Sequence, residues 1–155
     1  EVAVAAGCSE QSLSAYVPSK KVLVHAGGSR EWAMLAEGLE KLWRKQGPFQ
    51  EALQWFSNAL IGLVFSTAYI RLYRICVAEA GRFPEIGELF FKSGPERVRR
   101  ILACYLTERC QMGDLTIPDP DLAADQFIQL SFTGILNDRL FGVQIRITKT
   151  LAPVS

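Results

Sequence analysis

The chain has almost no charge imbalance: 17 Lys and Arg against 16 Asp and Glu leave a formal net charge of +1. Protein-wide attraction to polyanions is thereby excluded, and any nucleic-acid contact has to come from a local patch. Histidine occurs once, at His25. With no neighbouring group to orient it, a histidine acid–base centre has no support in the sequence. The four cysteines, Cys8, Cys76, Cys104 and Cys110, form no CxxC pair. They match neither a zinc site nor the framework of a small secreted domain, and they read as free thiols of a cytoplasmic protein. No metal and no cofactor are expected. Long apolar runs are missing too. The most apolar stretch, Ala59 to Tyr69, falls short of the roughly 20 residues of a membrane span. The opening residues lack the basic region and apolar run of a secretory signal. Phosphate loops and nucleophile elbows are also absent, so nothing indicates an enzyme.

What is present is apolar residue in helical order. Hydrophobic residues make up 49% of the chain and charged residues 21%, enough to bury a core. The spacing predicts an all-α protein. Pro48 opens a helix containing Leu53, Phe56, Leu60, Leu63 and Val64. A second runs from Thr67 to Ala80, and a short one from Pro84 to Lys92. Pro95 opens the clearest helix, to Met112, with Val98, Ile101, Leu102, Tyr105 and Leu106 on one side. Arg97, Arg99 and Arg100 fall on its solvated side. Asp121 is expected to cap a helix through Leu140. Beyond Gly142, Val143, Ile145 and Ile147 alternate with polar residues, so a short strand or extended tail is expected there.

Residues 1–23 read as two short helices around a tight turn. Val2, Ala3 and Ala6 give the first a face of small residues, and Gly7 can end it. Ser9 is a good N-cap for the next helix, on which Leu13 and Tyr16 share a face. Pro18 ends that helix, and Ser19 can cap a third. This is the pattern of a helix-turn-helix, and also of many other αα-hairpins.

The order Ala6-Gly7-Cys8-Ser9, Ser12-Leu13, Tyr16-Val17 and Ser19-Lys20 with Leu23 resembles the DNA-binding signature of the TetR family. Glu79-Ala80-Gly81-Arg82-Phe83-Pro84-Glu85 with Phe90, and Asp119-Pro120-Asp121-Leu122-Ala123-Ala124-Asp125-Gln126-Phe127, resemble the effector domain of one of its subgroups. The resemblance implies a recognition helix over Glu10 to Tyr16, with Ser9 at its cap. It places Ser12, Tyr16 and Lys20 at positions that contact DNA phosphates. Gln11 is the candidate base reader, because an amide can bond adenine bidentately. Three residues depart from the family: Glu10 where Lys is common, Ser14 where Tyr stands, and Val17 where Phe stands. Glu1 falls at the start of the second family helix, so the first helix is expected to be missing from this chain.

These observations predict a partial helix-turn-helix domain over 1–25 and a helical effector-binding and dimerisation domain over 26–155. The stretch from Trp43 to Tyr73 is rich in aromatics, with Ser57, Asn58, Ser66, Thr67 and Arg74 among them. A purely packed core would use more Leu and Ile. An apolar cavity bordered by Phe56, Leu60, Tyr69 and Tyr73, open toward Phe127, is therefore expected to hold a small apolar effector. The Asp121–Leu140 helix carries apolar residues on more than one side, so Leu122, Phe127, Leu130 and Leu136 are the expected homodimer contacts. The expected partners are palindromic operator DNA, a second copy of the chain and the effector, with no membrane. The expected function is repression relieved by that effector. The competing class is a helical ligand-binding or interaction module whose helix-turn-helix no longer reads DNA, an option that Glu10 and Ser14 favour.

Overall fold

A computed structural model of the chain describes residues 30, 32–44 and 47–143. Among the described residues there are seven helices and no strand. Helix α1 covers 32–44. It is followed by α2 (Phe49–Phe65), α3 (Thr67–Ala80), α4 (Pro84–Ser93), α5 (Pro95–Gln111), α6 (Pro120–Phe132) and α7 (Ile135–Phe141). Helix α6 packs on α5 and α2, α4 lies between α3 and α5, and α7 touches α2 and α3. Phe56, Leu60, Leu39, Ile86, Val98, Leu102 and Tyr105 are fully buried where these helices meet.

Local chemistry sets the boundaries. Prolines sit in the first turns of α4, α5 and α6, where a missing N–H leaves no gap. Helices α2 and α3 meet at Ser66 with a bend of 73°. Ser66 leaves the helical region (ψ 121°), and its Oγ accepts the Tyr69 N–H at 3.4 Å, so it closes one helix and caps the next. No single helix among the described residues is long and apolar enough to cross a membrane.

The expected continuous helix from Asp121 to Leu140 is divided. Its cap is Asp119, two residues before the expected Asp121; it accepts the Leu122 N–H at 3.0 Å, and the helix begins at Pro120. It breaks at Thr133–Gly134, where Gly134 has φ 85°, a left-handed value that only glycine adopts without Cβ strain. Apolar spacing continues through the break, which is why periodicity alone spans it. Two arginines then tie down α7. Arg74 donates to the carbonyls of Leu140 (2.9 Å) and Arg139 (2.7 Å), while Arg139 donates to the Phe65 carbonyl at 3.1 Å and lies over the Phe65 ring. The expected extended tail after Val143 lies outside the described residues.

Arg109 is 8% exposed, and both of its terminal nitrogens are engaged. Its guanidinium donates to Asp114 Oδ2 (2.9 Å) and to the Gly47 carbonyl (2.7 Å), and it lies 5.2 Å from the centre of the Tyr105 ring. It thereby fastens the end of α5 to the turn that leads into α2. The hydrogen bond to Asp114 raises the Arg109 pKa further above its ordinary value.

Candidate functional site

The expected DNA contacts, Ser9, Gln11, Ser12, Tyr16 and Lys20, lie outside the described residues, as does the whole of the expected 1–25 domain. Helix α1 is the described element nearest to them in sequence. Its seating on the other helices rests on close contacts.

Two glycines set this seating. A Cβ built on Gly94, between α4 and α5, would stand 2.1 Å from Trp32 Cβ and 2.2 Å from its Cγ. A Cβ on Gly38 of α1 would stand 2.1 Å from the far edge of the Trp55 ring. The backbone is thus bare where each indole rests. Trp32 also meets Tyr69 edge-on, with ring centres 5.9 Å apart. Tyr69 in turn contacts Tyr73 and Phe90, and Tyr73 meets Phe90 edge-on at 5.5 Å. An unbroken aromatic chain therefore runs from α1 through α3 to α4. A salt bridge from Arg97 to Glu40 (3.2 Å) joins α5 to α1 at the surface.

The five residues expected to line an effector cavity are close together, but packed. Phe56 and Leu60 have no exposed surface, Tyr69 is buried, and Tyr73 and Phe127 are half-buried. The Phe127 ring stacks on Phe56 at 6.1 Å. Aromatic rings attract one another edge-on or offset, so the surplus of aromatics is used here to interlock helices rather than to wall off an empty space. Open space lies elsewhere. A cleft of about 260 Å³ separates Met34 and Leu35 of α1 from Trp55, Ala59, Gly62 and Ser66. A smaller apolar cavity of about 80 Å³ is bordered by Tyr73, Cys76, Val77, Gly87, Phe90 and Phe91. Two further clefts carry charged walls: Glu40, Arg44 and Glu108 in one, Glu96, Arg99 and Asp125 in the other. Of the five expected residues, only Tyr73 borders any of these four spaces.

Burial pushes the Cys76 thiol up, toward its neutral form. Tyr69 is raised well above the tyrosine range, first by burial and then by Tyr73 and Cys76. Both groups are held uncharged in an apolar setting. Among the described residues no cluster of His, Cys, Asp and Glu is fit to hold a metal ion.

The expected dimer residues divide into two sets. Leu122 is 51% exposed and Leu130 75% exposed, on the same side of α6, with Phe141 exposed at the end of α7. Phe127 points inward to Phe56, and Leu136 packs against the core. The basic residues expected on a solvated face are partly engaged. Arg99 bridges from α5 to Asp121 (3.1 Å) and Asp125 (3.7 Å) of α6, and Arg100 pairs with Glu96 one turn away.

Residues 51–152 match the family described as AefR-like transcriptional repressor, C-terminal domain. Among solved structures, the fold is similar to a protein of Mesorhizobium loti MAFF303099 assigned to the TetR-family transcriptional regulators. The two are 23% identical, with a TM-score of 0.71, over 96% of this chain and 75% of that one. It is also similar to the flavonoid-responsive regulator FrrA, at 29% identity and a TM-score of 0.59, over 97% of this chain and 76% of that one. No curated protein matches the chain. The all-helical architecture agrees with both structures, and the family match spans α2 through α7. The chain belongs to the TetR family of transcriptional regulators, in the branch that carries the AefR-like C-terminal domain.

Proposed function

We propose that the protein is a cytoplasmic, DNA-binding repressor that releases its operator when a small apolar effector binds. The observation that carries this reading is the family match of residues 51–152 to a repressor C-terminal domain, and the helix-turn-helix pattern of the residues before it agrees with it. In this reading residues 1–25 belong to the DNA-binding part and residues 26–155 to the effector-binding and dimerisation part. Ser9 caps the recognition helix, Gln11 reads a base, and Ser12, Tyr16 and Lys20 hold phosphates. A homodimer would present two such helices to successive major grooves, about 34–36 Å apart, on a palindromic site. The exposed Leu122 and Leu130 on α6 supply an apolar surface for the two-fold contact. No catalytic chemistry is needed.

The effector enters beside Tyr73 and Phe90, where the small cavity already opens. It widens that space by parting the Tyr69–Tyr73 and Phe56–Phe127 contacts, with Leu60 behind them. The aromatic chain to Trp32 then passes the displacement to α1. Such a ligand shifts the equilibrium only by its differential affinity for the two arrangements of α1. A responsiveness to flavonoids in a structural neighbour favours a planar aromatic effector.

Gel-shift titration against the DNA upstream of the protein's own gene tests this. Specific retardation, weakened by added flavonoid, is expected. Lys20→Ala should weaken binding to all sequences and lower the salt slope by about one, whereas Gln11→Ala should relax sequence preference. Failure to distinguish operator from random DNA would favour the module that no longer reads DNA. Tyr73→Ala should blunt the flavonoid response while leaving retardation intact.

A further inference from the structure

The cleft between α1 and α2 plays no part in the effector route just described, yet it has the makings of a ligand site. Its volume of about 260 Å³ exceeds the roughly 150 Å³ of an engineered cavity that holds benzene, and suits two fused rings. None of the side chains lining it is charged, so a charged ligand would lose its hydration there without compensation. Trp55 lines one wall, and the far edge of its ring rests on the bare backbone of Gly38. That indole offers a flat surface suited to stacking. At one end is Ser66. Its Oγ already accepts the Tyr69 N–H, which leaves the hydroxyl proton available, and no acceptor takes it among the described residues. At the middle is Gly62, inside α2. A Cβ there would meet nothing within 4 Å. Glycine weakens a helix interior relative to alanine, and here the side chain it lacks is what leaves the cleft open.

We propose that this cleft binds an uncharged two-ring aromatic ligand, stacked on Trp55 with one oxygen turned to the Ser66 hydroxyl, and that the ligand braces α1 against α2. The chemistry is defined by the walls: flat to match the indole of Trp55, neutral because of the lining, and carrying an oxygen acceptor because the Ser66 hydroxyl proton is free to donate. Because Met34 and Leu35 belong to α1 while Trp55, Gly62 and Ser66 flank it from α2 and its end, a bound ring spans both elements.

Calorimetric titration of the whole chain with 2-naphthol tests the site. Saturable one-to-one binding is expected, with naphthalene-2-sulfonate at least tenfold weaker because of its charge. Gly62→Leu should fill the cleft and weaken 2-naphthol at least tenfold while the melting temperature holds or rises; Gly62→Ala should lie between. Ser66→Ala should remove the preference for 2-naphthol over 2-methylnaphthalene. Tyr73→Ala should leave this binding unchanged, which separates the site from the effector route beside Phe90. No saturable binding by the unaltered chain, equal binding of the sulfonate, or equal binding by Gly62→Leu would each overturn the proposal. Binding lost on Tyr73→Ala but kept in Gly62→Leu would move the ligand to the other cavity and overturn it as well.

Discussion

Gly94→Ala adds one methyl group and should be among the most damaging small changes in the protein. The new Cβ would lie 2.1 Å from Trp32 Cβ and 2.2 Å from Trp32 Cγ. Carbon atoms in contact prefer about 3.5–4.0 Å, so the two backbones must separate by roughly 1.5 Å. No rotamer of Trp32 relieves this, because its Cβ is fixed to the α1 backbone. Trp32 is 4% exposed, so opening the gap also unpacks a buried indole. Overpacking of this kind typically costs about 1–3 kcal/mol, and the rigid obstacle puts Gly94→Ala near the top of that range. Gly38→Ala is the matched control. Its Cβ would meet the far edge of Trp55, a ring already 37% exposed that can swing outward. The helix-interior gain of about 0.5–1 kcal/mol for Gly→Ala offsets part of the cost, so the net change should stay within about 1 kcal/mol. At about 2–4 °C per kcal/mol for a chain of this size, Gly94→Ala should lower the melting temperature by roughly 6–12 °C. Urea unfolding followed by circular dichroism measures both, provided the slope is unchanged. Trp32→Phe should not rescue Gly94→Ala, since Cβ and Cγ remain. Equal stabilities for the two alanine variants, or rescue by Trp32→Phe, would refute the reasoning.

Arg109→Ala should cost about 2–3 kcal/mol in urea unfolding, because it strands the Gly47 carbonyl and removes a charged hydrogen bond from Asp114. Asp114→Asn should cost clearly less, since Asp114 is partly solvated and Gly47 keeps its donor. Mass spectrometry after maleimide treatment of the native chain should find Cys104, which is exposed, labelled well before Cys76, whose thiol is buried and shifted upward; in urea the two should label alike. The raised pKa of Tyr69 means that the folded state holds its phenolic proton more tightly than the unfolded chain does, where the ordinary value is 10.0. Its contribution is fully present below pH 10 and is lost as pH rises above it, so unfolding curves of Tyr69→Phe should fall off less steeply in alkali than those of the unaltered chain.

The helices were legible because their punctuation is chemical. Pro84 and Pro95 stand in first turns, and Gly113 follows α5 with φ 84°, as residue type alone suggests, whereas Pro120, expected in the connector, opens α6. The break at Gly134 was hidden because Ile128, Phe132, Ile135 and Leu136 keep helical spacing across it, and only the backbone shows the change of direction. The aromatic stretch was legible as a cluster but not as packed or hollow. Composition gives the number of rings between Trp43 and Tyr73, whereas the stacking of Phe56 on Phe127 depends on a residue 71 positions away. Gly38 and Gly62 carried no local signal either, and Gly94 signalled only the end of a helix. Their roles come from what lies opposite each of them, in two cases an indole from another element and in the third an empty cleft.

The pairing of indoles with phenols gives the molecule a built-in optical reporter. Trp32 and Trp43, both on α1, each stand edge-on to a tyrosine of another helix: Tyr69 on α3 at 5.9 Å and Tyr105 on α5 at 6.2 Å. At such separations light absorbed by the phenols passes to the indoles, and the tyrosines stay dark. Only a detachment of α1 that carries an indole well beyond these distances would let tyrosine emission return as tryptophan emission falls, in the native chain and without any attached dye. The two acceptors sit toward opposite ends of α1, so replacing either tyrosine by phenylalanine would report on one end of the helix at a time.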